Sequence, residues 1–96
     1  MSSRADQILA AGVELASRVG YQRLTRGQVA EAAGCSVPLI SVYFLSAELM
    51  REMILTEAVR TGCLPVIAEG LAVGDPIALA APVEVQQRAA LSLLPR

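Results

Sequence analysis

The sequence predicts an all-α fold, a small helical bundle, and three observations carry that prediction. Apolar residues recur at steps of three and four along several segments, the spacing that lines one face of a helix. Hydroxyl-bearing residues and glycines stand where helices start and stop. No segment alternates apolar and polar residues as a half-buried strand does.

The first segment opens at Ser3, with Asp6 three residues on, a pairing like a capping box. Ile8, Ala11, Leu15, Ala16 and Val19 form its expected apolar stripe, and Gly20 ends it. Gly12 inside this stretch weakens helix propensity by about 1 kcal/mol relative to Ala. Residues 21–24 form a connector. Thr25 and Gln28 make a second capping box, opening a short helix with Val29, Ala30 and Ala33 as its apolar residues and Gly34 as its stop. Ser36 caps a third helix with Pro38 in its first turn, where the missing N–H costs little. Ile40 and Phe44, four apart, mark the buried side of that helix. At about 100° per residue, Pro38, Leu39 and Val42 are then expected to point away from the core, with Ser41 and Tyr43 on the flanks. Ser46 caps a fourth helix whose apolar positions are Leu49, Met50, Met53, Ile54 and Val59, closed by Gly62 and Pro65. Beyond it come a short apolar stretch over 66–73, a turn at Gly74, Asp75 and Pro76 with Asp75 as cap, and a last helix over 82–94. Val83, Val85, Ala89, Ala90, Leu93 and Leu94 are the apolar positions of that last helix. Helices are thus expected at about 3–19, 26–33, 37–44 and 47–61 in a first unit, residues 1–60, followed by a short helical extension over 61–96.

Two helix-length segments joined by Gly34, Cys35 and Ser36 are the layout of a helix-turn-helix, which lays its second helix in the DNA major groove. Composition adds a constraint. The 96 residues are 54% hydrophobic and only 18% charged, with a mean hydropathy of +0.52. A chain of this size buries only about 60–65% of its unfolded surface. Apolar surface is therefore expected at a subunit interface, and a homodimer is expected through the extension over 61–96. Acidic residues recur too often to leave a membrane-spanning run of about 18 residues, and no N-terminal signal is apparent. The chain is expected to be cytoplasmic, with no membrane partner and with Cys35 and Cys63 as free thiols. It has no His, no clustered carboxylates, no nucleophile–base pair and no glycine-rich phosphate loop. Neither a metal, nor a cofactor, nor enzymatic activity is expected.

The net charge is −1, but residues 17–46 hold Arg18, Arg23 and Arg26 against Glu31 alone, a local balance of +2. All basic residues are Arg. The third helix carries no charge. Its exposed face could press Val37, Leu39 and Val42 on thymine methyls while Ser36 and Ser41 hydrogen-bond base edges or phosphates. Arg26, at the start of the second helix beside Thr25, is placed for a phosphate.

The ordered series Ile8-Leu9-x-Ala11-x-x-x-Leu15, Gly20-Tyr21, Leu24-Thr25, Val29-Ala30-x-x-Ala33-Gly34-x-Ser36 and Tyr43-Phe44-x-Ser46 resembles the DNA-binding domain of the TetR family of bacterial regulators, over about residues 8–60. The resemblance implies a three-helix domain whose second and third helices are the helix-turn-helix. It implies Thr25 on a backbone phosphate, residues 36–42 facing the bases, the Tyr43 hydroxyl on a phosphate, and Ser46 with the first amides of the fourth helix on another. The DNA-binding set is thus Thr25, Arg26, Ser36, Val37, Pro38, Leu39, Ser41, Val42, Tyr43 and Ser46. The chain departs from the family where Val37 and Ala47 replace common lysines, where Ser41 replaces a usual Tyr, and where Gly27 replaces a commonly basic residue. Met50 stands for a usual Leu. Lost lysines mean fewer released counterions and a modest electrostatic share of affinity.

The leading expectation is a sequence-specific regulator of transcription, a repressor by default, binding double-stranded DNA as a homodimer on a palindrome. A small-molecule effector is not expected, because the family's effector domain needs more chain than residues 61–96. The alternative is a protein-interaction module that keeps the fold and has lost DNA binding, motivated by the uncharged third helix and the net charge of −1.

Overall fold

Four helices begin at a hydroxyl side chain that closes on its own first turn, and these starts frame the first two thirds of the molecule. The computed structural model describes residues 3–94; the outermost residues of the two expected units, 1–2 and 95–96, lie outside it. Helix α1 (Arg4–Val19) starts at Ser3 and α2 (Arg26–Ala33) at Thr25, each with a complete capping box. Helix α3 (Val37–Tyr43) starts at Ser36 and α4 (Ala47–Thr61) at Ser46. Helices α5 (Leu64–Ala72), α6 (Pro76–Leu79) and α7 (Val83–Leu91) complete the chain. The fold is all-α, and no strand occurs among the described residues.

Helix α1 packs on α2 and α4, and α4 packs on α5 and α6. The main core joins Ile8, Val13 and Ala16 of α1 to Leu24, Val29, Ile40 and Phe44, and to Met50, Ile54, Leu55 and Ala58 of α4. It extends past residue 60, taking in Val66 of α5 and Ala78 of α6. A smaller cluster of Ile67, Ala68 and Ala89 seats α7 on the other side of α5. No helix among the described residues is long and apolar enough to cross a membrane.

The apolar faces differ in detail from the expected stripes. Val19 was expected on the buried side of α1, yet it is 45% exposed, while Gly12 and Val13 are buried. The reason is the closeness of α1 to α4: a Cβ at Gly12 would stand 2.7 Å from Ile54 Cδ1. The contact is centred on a residue with no side chain, and that rotates the buried face. On α4, Met53 is half out of the core while Leu55 and Ala58 are fully inside, because α5 and α6 cover the side that those two residues occupy. The last helix ends at Leu91, so Leu93 and Leu94 lie beyond it and are exposed, as is Val83.

Candidate nucleic-acid interface

The helix-turn-helix is built from local hydrogen bonds on both sides of one left-handed glycine. Gln28 N–H donates to Thr25 Oγ1 at 3.1 Å, and Thr25 N–H donates to Gln28 Oε1 at 3.0 Å. This closes the start of α2. At its end Gly34 has φ 69° and ψ 38°, a conformation that side chains disfavour. Gly34 N–H donates to the Glu31 carbonyl at 3.2 Å and Cys35 N–H to the Ala30 carbonyl at 2.9 Å. Leu39 N–H then donates to Ser36 Oγ at 3.3 Å, starting α3 two residues after the glycine.

Helix α3 is held by two large side chains. Ile40 is fully buried and Phe44 nearly so, and Phe44 N–H closes the last turn on the Ile40 carbonyl at 2.8 Å. The opposite face is free. Val37 is 42%, Val42 73% and Tyr43 39% exposed, and Ser36 and Pro38 are exposed beside them. Leu39 differs from the expectation that it points outward: it is only half-exposed.

Arg26 brings a cation to this face. Arg26 Nη1 donates to Ser41 Oγ at 3.3 Å, so the guanidinium from the start of α2 reaches across to the middle of α3. Arg26, expected on a phosphate, and Ser41, expected on a base edge or a phosphate, are therefore brought together. Thr25 and Ser36 are exposed, with their hydroxyl oxygens already accepting from the backbone. Each hydroxyl keeps its own proton to donate. Ser46, also exposed, accepts from Leu49 N–H at 3.0 Å and stands at the N-terminus of α4. Glu48 lies in the same first turn and competes there with any bound anion.

Three residues that matter to this geometry were not singled out in the sequence. Arg51 on α4 donates from Nε to the Leu24 carbonyl at 2.9 Å, pinning the connector one residue before the Thr25 cap. Glu69 accepts from the Tyr21 and Gln22 amides at 3.1 Å each. Leu45, 86% exposed, stands between the end of α3 and the Ser46 cap. Arg51 and Glu69 read as ordinary surface charges because their partners are backbone groups 27 and 47–48 residues away; no local pattern marks them.

Residues 8–53 match the profile of the family described as bacterial regulatory proteins, tetR family. No curated protein and no solved structure matches the chain.

Proposed function

We propose that this DNA-binding helix-turn-helix regulator, which belongs through residues 8–53 to the tetR family of bacterial regulatory proteins, represses transcription as a homodimer on a palindromic operator. The observation that carries the reading is the α3 geometry. Ile40 and Phe44 lock the helix from inside, so Val37, Pro38, Val42 and Tyr43 form a rigid outward face one helix wide. Such a face fits the major groove, which admits an α-helix.

The roles follow from position. Val37, Pro38, Leu39 and Val42 contact base edges and thymine methyls, and Ser36 donates a hydrogen bond at the groove's edge. Thr25, the Tyr43 hydroxyl and Ser46 hold phosphates on either side. Arg26, steered by Ser41, supplies positive charge at this surface. Residues 61–96 act as the dimerisation unit. Leu79, Val83, Leu91, Leu93 and Leu94 support that assignment, since within residues 79–94 they leave five large apolar side chains more than half exposed. Two copies would place their third helices in successive major grooves, about 34–36 Å apart or a multiple of that.

Selection of bound sequences from random DNA tests all of this at once. A palindromic consensus with that spacing is expected; recovery of no enriched sequence at low salt, from a chain that remains dimeric, would remove the reading. Tyr43→Phe should weaken binding by about 3- to 10-fold for every sequence, because a phosphate contact carries no sequence information. Val42→Ala should instead change base preference at one position of each half-site.

A further inference from the structure

The connector between α1 and α2 sets the direction in which the helix-turn-helix leaves the first helix, and the far end of the chain holds it. Gly20 closes α1 with φ 91°. The next two amides, of Tyr21 and Gln22, donate to Oε1 and Oε2 of Glu69 on α5, both at 3.1 Å. One carboxylate thus grips two consecutive backbone N–H groups with charge-assisted hydrogen bonds. The fit is close: a Cβ at position 20 would stand 2.9 Å from Glu69 Oε1. Tyr21 itself is 3% exposed. Its hydroxyl donates to Asp75 Oδ2 at 2.8 Å, while Asp75 Oδ1 accepts the Ile77 amide at the start of α6. Downstream, Leu24 N–H donates to the Tyr21 carbonyl at 3.2 Å, and the Leu24 carbonyl accepts from Arg51. Thr25, the cap of α2, comes next.

We infer that Glu69 and Asp75 are positioning residues for DNA binding: through Tyr21 and Gln22 they fix the α1–α2 connector, and so couple the α5–α6 segment to the placement of the helix-turn-helix. This rests on the DNA-binding reading above. A protein whose binding-competent arrangement is only partly populated binds with an affinity reduced by that fraction. Releasing the connector from Glu69 lowers the fraction without removing any group from the DNA surface.

The sign of the effect separates this role from simple electrostatics. Glu69 is an anion in a protein that meets a polyanion, so removing its charge should by itself tighten binding. Positioning makes the opposite prediction. Glu69→Gln keeps the size of the side chain but sets an amide N–H₂ against a backbone N–H, and it is expected to weaken DNA binding by about tenfold, the equivalent of one hydrogen bond to a charged group. Tyr21→Phe, which removes only the hydroxyl, should weaken it by about threefold. For both, the slope of log affinity against log salt should match the parent chain, because no phosphate contact is lost. Glu14→Gln, at an exposed position of α1, removes the same charge elsewhere and should leave affinity equal or slightly higher.

Amide hydrogen exchange on the full chain gives a readout independent of DNA. Faster exchange confined to residues 21–33 in Glu69→Gln, with α5 and α7 unchanged, supports the coupling, even if the parent chain binds no DNA and the functional reading fails. Either of two results overturns it: Glu69→Gln binding DNA as tightly as Glu14→Gln with unaltered exchange, or exchange rising uniformly through the whole chain. Should Glu69→Gln fail to fold, Tyr21→Phe decides by the same measurements.

Discussion

The two ends of this chain build helices by different means. From α1 to α4, every helix starts at a Ser or Thr whose oxygen takes a first-turn amide. Helices α5 and α7 start at Cys63 and Pro82, with no side-chain cap. The first region gathers the main core around Phe44, Ile8 and Ile54 and leaves Val42 and Leu45 exposed at and just beyond α3. The second leaves Leu79, Val83, Leu91, Leu93 and Leu94 more than half exposed. Local hydrogen bonding specifies the helix-turn-helix almost by itself, whereas α5 and α7 lack such a start and depend on what they pack against.

The comparison can be broken most forcefully at the centre of the first region. Phe44→Ala removes the largest fully buried side chain and should cost about 3–5 kcal/mol. Chemical denaturation should show it, with loss of α3 order preceding loss of helix elsewhere. The second region is expected to be most sensitive at Gly70, where a Cβ would stand 2.7 Å from Ala78 Cβ and 3.3 Å from Leu55 Cδ1. Neither the Ala78 Cβ nor the backbone behind it can swing aside. Gly70→Ala should therefore destabilise by about 1–3 kcal/mol despite better helix propensity; an increase in melting temperature would show that α5 and α6 are less tightly seated.

The link between the regions should titrate. Burial of the Tyr21 ring, then its hydrogen bond to Asp75, then the charges of Asp75 and Glu69, all raise its pKa above the usual 10.0. The folded chain holds this proton more tightly than the unfolded chain. The stabilisation is complete below pH 10.0 and declines as pH rises beyond it. Stability of the parent should fall across that range relative to Tyr21→Phe; parallel curves would mean that the phenol is neither buried nor held by Asp75.

The smallest effects sharpen the contrast in caps. Ser36→Ala should cost about 0.5–2 kcal/mol and loosen the turn before α3. Cys63→Ser, which offers α5 the cap it lacks, should be neutral or stabilising by up to about 1 kcal/mol. Equal destabilisation by both changes would show that Cys63 matters through packing, since it lies half-buried against the main core.

Much of this was legible along the chain because the signals are local. Ser3 with Asp6 and Thr25 with Gln28 each span three residues, and Gly20, Gly34, Gly62 and Gly74 all adopt the positive φ that their places at helix ends suggest. The outward face of α3 was readable from Ile40 and Phe44, since a helix with two fixed contacts has only one free side. The buried faces of α1 and α4 were less so. Periodicity finds a stripe, but it does not show that Gly12 sits beneath Ile54 and draws the stripe around.

The sequence by itself determined the helical class, the helix ends and the glycine-hinged pair α2–α3, because caps and left-handed glycines act over a few residues. Only the tertiary structure decided that Arg26 reaches Ser41, that Arg51 pins the Leu24 carbonyl, and that Glu69 and Asp75 hold the connector before α2. These bonds join residues 15 to 54 positions apart, and those of Arg51 and Glu69 run to backbone groups, which look the same at every position of a sequence until the fold selects one.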